Sequence, residues 1–338
     1  MFLTNDTGEM TAQLTRLLRD EETDNCPLLL EIVSGGGVNR RILGYLFGIS
    51  VAHKQVDIQN RAMDLLKKHA SNDTLTQAQR LKSSLPYYYN EAEYLGKYKN
   101  PEFDLFDFLL AYKMCSWHGS GYSRSDRYRY NHQSLNLSSY PDNTLTDAIA
   151  TLDFVKSIIL PAHKDFDLEH AYQYLLKLPL ENIFIENVRL LRFPNRLFDL
   201  PMLKILSIKR GTYRPRVPMT VAETEPRGSD TLEKLIVDGY PMEQIQHLGP
   251  FPKLKEAFLV RCTLENIDFL SASKQLEVLN IKFNLLPNLP AFLGGLSGLK
   301  TIELSGNPFK KIEIDLSNLG KLEEFEIKLK YDRTIRFY

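Results

Sequence analysis

The side chains that could carry chemistry are few and far apart. Cysteine occurs only at Cys26, Cys115 and Cys262. Cys115-Ser-Trp-His118, with His132 beyond, offers three ligands of the kind zinc accepts. A fourth ligand at a recognised spacing is missing, so this run does not define a metal centre. Ser34-Gly-Gly-Gly37 has no following Lys-Ser/Thr and no preceding strand, so it is a turn between helices and not a phosphate loop. Gly119-Ser120-Gly121 lacks the Gly-x-Ser-x-Gly spacing of a nucleophile elbow. Glu91, Glu93 and Glu102 could exchange protons near Tyr87–Tyr89, but nothing fixes their geometry. His53, His69, His163, His170 and His247 are scattered and read as surface or core residues. The expectation is therefore no catalytic residue, no cofactor and no metal.

The elements that hold these residues are more legible. The spacing Leu-x-x-Leu-x-Leu recurs through the C-terminal two thirds of the 338 residues. Clear copies begin at Leu180, Leu203, Leu232, Leu254, Leu276, Leu299 and Leu322, and weaker ones at His132 and Val155. From 132 to 322 this makes eight intervals over 190 residues, about 24 each. In the best copies a small polar residue falls eight positions after the first Leu, as at Cys262, Asn284 and Asn307. Such a side chain, once buried, serves neighbouring backbone groups, so Cys262 reads as structural. Tyr140, His163, Val188, Gly211 and Tyr240 break that rule and predict less regular turns.

Period and internal spacing together resemble the leucine-rich-repeat family, in a bacterial-type form, over residues 132–338. The resemblance implies an α/β solenoid: about nine short parallel strands lining a concave face, with returns behind them. Asp147–Leu152 and Leu168–Leu178 predict helical returns. The Pro- and Gly-rich 287–296 predicts tighter ones, and the charged last copy a polar cap. Ahead of it, 1–125 reads as an all-α domain, giving 126–338 to the repeats. Its predicted helices are Met10–Arg19, Pro27–Val33, Arg40–Ala52, Ile58–Ala70 with Asp57 as N-cap, Thr74–Ser83 and Phe103–Met114. Short paired helices resemble HEAT or armadillo-like units; a plain cap over the first repeat is the alternative.

Side chains alternate across a strand, so offsets two, four and six from each first Leu face the concave surface. The central column would read Asn136, Ile159, Phe184, Ser207, Ile236, Phe258, Asn280, Glu303 and Glu326, with Ile205, Val260 and Val278 flanking and Phe283 just beyond. An apolar cluster rimmed by charge is what a protein-binding surface presents. The 29-residue interval after Leu203 hides an insertion whose Tyr213, Arg214 and Arg216 are further candidate contacts.

Charge excludes other classes. The chain carries 42 Lys+Arg and 42 Asp+Glu, balanced 16 to 16 within residues 1–130. Neither part has the basic excess of a general nucleic-acid or anionic-membrane binder, although the Arg- and Tyr-rich 117–130 could stack on bases. The start lacks a signal-like apolar stretch, and three separated cysteines suit a reducing cytoplasm. The expected function is a cytoplasmic protein–protein interaction module. The alternative is an enzyme with a site near 115–132, and a nucleic-acid binder ranks below it.

Overall fold

The computed structural model describes residues 6–84, 102–119, 132–190, 192–211, 227–242, 248–309, 312–314, 317–327 and 335–337. The chain divides into two compact units, 1–156 with 173–178, and 157–172 with 179–338.

The first unit carries helices α1 (Asp6–Leu18), α2 (Cys26–Gly35), α3 (Arg40–Ala52), α4 (Val56–His69), α5 (Asn72–Ser84) and α6 (Leu105–Gly119), then strand β1 (Ser134–Asn136). Helix α3 is its axis. The Asn39 side chain caps it by accepting from the Ile42 amide at 2.9 Å, and Ile42 to Val51 are all buried. A helix apolar on every side must be enclosed, and α6 packs closely along it. Gly44 and Gly48 allow this approach. A Cβ at Gly44 would sit 2.9 Å from Asp107 Cβ, and one at Gly48 2.6 Å from Ala111 Cβ. Phe47 fills the seam, 5.0 Å from Phe103 and 5.4 Å from Phe108 between ring centres. Helix α4 begins two positions earlier than Asp57 would set it. Gln55 is the N-cap and Asp57 lies in the first turn, where its charge still complements the helix dipole.

Helix α6 also covers the first repeat copy. Phe106 stacks on Tyr140 at 5.6 Å, and fully buried Lys113 donates to the Ser134 carbonyl at 2.7 Å. His132 stacks on Phe154 and stands 3.4 Å from Glu21, and Arg19 pairs with Asp153.

The second unit is built on β2 (Ser157–Ile159), β3 (Asn182–Glu186), β4 (Ile205–Lys209), β5 (Lys234–Asp238), β6 (Glu256–Val260), β7 (Val278–Asn280), β8 (Thr301–Glu303) and β10 (Glu324–Glu326). They lie side by side in that order, all parallel. A separate pair joins β9 (Ile312–Ile314) to β11 (Ile335–Phe337). Each strand turns its repeat leucines inward. Leu203, Leu232, Leu254, Leu276 and Leu299 are fully buried, each contributing about 1.5–3 kcal/mol of burial. Returns are one short helix, α7 (Leu168–Leu175), and 3₁₀ turns at Asn195–Asp199, Asp268–Leu270 and Ala291–Gly295. The last follows Pro290, as the proline-rich sequence predicts.

The polar ladder holds the turns after the strands. Asn284 Oδ1 accepts from the amides of Cys262 (3.0 Å) and Leu264 (3.1 Å), and Nδ2 donates to the carbonyls of Leu259 and Ile281. Asn307 repeats the arrangement one turn on, accepting from Leu286 and donating to Ile281 and Leu304. The Cys262 thiol donates to the Val237 and Val260 carbonyls, and burial pushes its pKa up to about 12. Among the irregular copies the solution differs. Val188 has no polar atom to offer, and the buried Tyr240 hydroxyl reaches back two repeats to donate to its carbonyl at 2.5 Å. This parallel ladder with its buried asparagines is the leucine-rich-repeat fold.

Candidate functional site

The register of the ladder assembles the predicted column. Ile159, Phe184, Ser207, Ile236, Phe258, Asn280, Glu303 and Glu326 are successive partners across the sheet. Strand spacing places Ile159 and Phe258 about 19 Å apart, the length of a short peptide segment. Beside this column lie Asn182, Ile205, Lys234, Glu256 and Val278, and on its other side Glu186, Lys209, Asp238 and Val260. The inward neighbours are buried, and these outward residues are mostly half-buried. Ser207 departs from this: it is fully buried, and its hydroxyl has no hydrogen-bond partner among the described residues. The larger neighbours in the column, Phe184 and Ile236, stand on either side of it in register.

Charge on this face is arranged unevenly. Lys234 lies 5.1 Å over the Phe258 ring and 2.5 Å from Glu256, giving the apolar column one ion-paired flank. Arg261 grips Asp238 through both carboxylate oxygens, at 2.6 and 2.7 Å. Towards the last strands Lys282 stands 3.0 Å from Glu303 and 2.7 Å from Glu326, and Asn280 also bonds Glu303. The acidic stretch that a residue count shows at the C-terminal end is thus internally paired, and hydrogen bonds to Glu326 and Glu303 raise the Lys282 ammonium above its ordinary pKa. Alternation places Lys282, six residues after Leu276, on this face, but not its bridging of two later strands.

Phe283 is the most exposed aromatic on this side, at 55 %, and Leu285 adds an exposed apolar neighbour. Phe283 holds φ 58°, a region a bulky side chain rarely enters. The same position seven residues after the first Leu is left-handed at Asn187, Gly239, Arg261 and Gly306. In the copy from Leu203 it falls one residue later, at Gly211, so most copies place the left-handed residue here whatever its type. The Phe283 ring lies over Gly306, where a Cβ would be 2.5 Å from it.

Sequence reasoning missed a second column. One residue after each first Leu, the chain reads Glu181, Lys204, Glu233, Lys255, Glu277, Lys300 and Glu323. Ion pairs join Lys204 to Glu181 (2.7 Å), Lys255 to Glu233 (2.8 Å) and Lys300 to Glu277 (2.5 Å). The backbone of the same residues hydrogen-bonds from each repeat to the next. Hydrogen bonds to the glutamates raise the three lysines, and those to Lys255 and Lys300 lower Glu233 and Glu277. Opposite charges in adjacent strands favour this register, and a slip by one repeat would oppose like charges. The signal is visible as strict alternation at one offset of the period.

Of the predicted contacts, Ile159, Phe184, Ile236 and Phe258 share the central column, Ile205 and Val278 the first flank, and Val260 the second. Phe283 lies past the strand end. Tyr213, Arg214 and Arg216 lie outside the described residues, as does 120–131 of the proposed junction site. Cys115 of the candidate zinc run is buried against Cys26, 3.5 Å between sulfurs, and His132 serves the Phe154 and Glu21 contacts above. Among the described residues no helix is long and apolar enough to cross a membrane.

No family profile and no curated protein matches the chain. Among solved structures it is similar to the leucine-rich repeat domain of the type III effector XopL, at 18% identity and TM-score 0.45, covering 74% of this chain and 84% of that one. It is also similar to Listeria monocytogenes InlP, at 16% identity and TM-score 0.42, covering 56% and 52%. For Leptospira interrogans LRR protein LIC12759 the values are 17%, 0.37, 57% and 54%. The chain thus spans about half the length of the last two.

Proposed function

We propose that the protein is an interaction module that binds another protein through the open face of its repeat sheet, centred on Phe184, Ile236 and Phe258. The observation that carries this reading is the contrast along one column. From Ile159 to Phe258 the outward side chains are large and apolar, apart from Ser207, and fall in continuous register. From Asn280 to Glu326 they are polar and already bonded to one another. Burying the rest of two phenylalanines and two isoleucines stabilises a complex by up to a few kcal/mol at about 25 cal/mol per Å². Lys234, Glu256, Asp238 and Arg261 provide the polar rim that orients a partner.

Phe283 and Leu285 extend the apolar surface beyond β7. An aromatic side chain in a left-handed backbone position is costly to keep for packing alone, and at 55 % exposure it buries little. A partner reaching past Val278 would cover it.

In this reading the helical unit is a cap. Its α6 lays Phe106 and Lys113 on the first repeat copy, within the same unit. Replacing Phe184 and Phe258 together with Glu tests the proposal. Partner capture should be lost while the melting temperature stays within a few degrees, because both side chains face outward.

A further inference from the structure

Three ligating side chains from separate pieces of the first unit converge at one place, and a fourth, Cys115, adjoins one of them. Asp24 lies in the loop between α1 and α2, Cys26 opens α2, His53 caps the end of α3, and Cys115 lies in α6. A carboxylate oxygen of Asp24, the Cys26 sulfur and a ring nitrogen of His53 all fall within 4.8 Å of one another. Asp24 Oδ2 is 2.9 Å from His53 Nε2, and Cys26 Sγ is 3.5 Å from Cys115 Sγ. Cys26, His53 and Cys115 are buried, at 3 %, 1 % and 1 % exposure, and Asp24 is partly open to water.

We infer that Asp24, Cys26, His53 and Cys115 form a zinc site that staples the α1–α2 loop, α2, α3 and α6 together.

The spacing fits the ion. With zinc–sulfur bonds of about 2.3 Å and zinc–nitrogen or –oxygen bonds of about 2.0 Å, a tetrahedron has a sulfur–sulfur edge of about 3.8 Å and a nitrogen–oxygen edge of about 3.3 Å. The observed 3.5 and 2.9 Å lie within a few tenths of an ångström of these two edges, and Cys115, which joins the 4.8 Å group only through Cys26, must turn its sulfur toward Asp24 and His53 to close the tetrahedron. Two thiols and an imidazole with one carboxylate select zinc over calcium or magnesium, which take oxygen ligands. A site closed by four protein ligands is structural and not catalytic.

The surroundings are built to hold the ligands. The Cys26 amide donates to Asp24 Oδ1, leaving Oδ2 to face the cluster. Asp20 fixes the loop by accepting from the amides of Glu22 and Thr23 and from Asn25 Nδ2. Gln59 anchors the His53 carbonyl. Such second contacts set the direction of first ligands. With the Gln55 amide donating to Nδ1, the neutral ring carries its one proton on Nε2, toward Asp24. Zinc at Nε2 takes the other tautomer, with that proton moved to Nδ1 and the Gln55 amide, at the exposed start of α4, turned away from it.

The other use of two adjacent thiols is a redox pair. Here the bond to Cys115 and burial push the Cys26 thiol far above its ordinary range, the reverse of a reactive cysteine. The spacing in sequence hides the site, since Asp24-x-Cys26, His53 and Cys115 fall into no known ligand pattern.

The test uses the full chain, reduced and stripped with a chelator, and titrates it with zinc chloride or cobalt chloride. One equivalent of zinc should bind and raise the melting temperature. Cobalt should give the intense visible bands of a four-coordinate ion and a thiolate-to-cobalt band in the near ultraviolet. Cys26→Ser with Cys115→Ser should abolish the thiolate band, and His53→Ala should weaken zinc binding at least tenfold. The proposal is overturned if the wild-type chain takes up no stoichiometric zinc, or if its cobalt spectrum is that of a six-coordinate ion without thiolate. It is also overturned if mild exposure to a small disulfide links Cys26 to Cys115 and zinc pre-incubation gives no protection. The wild-type spectra decide the matter even if the variants fail to fold. The inference stands independently of the partner-binding reading.

Discussion

Strands β3–β6 and strands β7, β8 and β10 follow one repeat rule and solve it differently. In the later set the turn after the strand is held by Asn284 and Asn307, and the outward column is closed by Lys282 between two glutamates. In the earlier set the turn positions are Val188, Gly211, Tyr240 and Cys262, and the outward column is Phe184, Ser207, Ile236 and Phe258. The later half meets its own polar needs inside and out. The earlier half leaves apolar area uncovered outside and, inside, calls on one tyrosine and the Cys262 thiol. Regularity marks the part that stabilises, and departure from it marks the part with a surface to use.

The comparison can be broken from either side. Asn284→Ala removes the bonds of two amides and two carbonyls at once and should cost the most. At roughly 1–3 kcal/mol for each orphaned buried group, a loss of about 3 kcal/mol or more is expected from denaturant unfolding. A loss under 1 kcal/mol would mean that water replaces the ladder. Tyr240→Phe deletes one hydroxyl serving one carbonyl, and should cost about 1–2 kcal/mol. If it cost as much as Asn284→Ala, the irregular half would depend on its turn as heavily as the regular one.

Lys282→Met sharpens the outer contrast. It leaves Glu303 and Glu326 facing each other without their cation, on a surface partly open to water. A drop of about 1 kcal/mol at low salt, shrinking as salt is added, is expected. The smallest effect is Lys255→Glu, which puts like charge beside Glu233 and Glu277. It should lower the melting temperature slightly at low salt and not at high salt, and Glu233→Lys added to it should restore part of the loss. Glu233 and Glu277 have lowered pKa values in the folded state. Their contribution is therefore present at neutral pH and lost as pH falls through the carboxylate range below about 4.3.

What the sequence discloses follows from period. Leucine spacing fixes which residues enter the core, and alternation then fixes which face outward, so Phe184, Ile236 and Phe258 are readable without coordinates. Asn284, Asn307 and Cys262 are readable because a buried polar atom must find partners at the same offset each time. Tyr240 is not, because its bond runs to Val188 across two repeats and no local rule links them. Lys282 is not, because its role depends on two later strands. The charge column was legible and overlooked, since a zero net charge hides strict alternation at one position. Among the helices the boundaries are readable to within a few residues. The meeting of Cys26, His53 and Cys115 is not, because it depends on how α2, α3 and α6 pack.

The central claim is that the apolar column from Ile159 to Phe258 is where a partner protein binds. The most direct measurement compares the wild-type chain with the variant carrying Phe184→Glu and Phe258→Glu, each used to isolate partners from the source cell, with melting temperature followed in parallel. The account predicts that proteins held by the wild type are absent from the variant while the two chains melt within a few degrees of each other. Equal recovery of the same partners by a folded variant would contradict it.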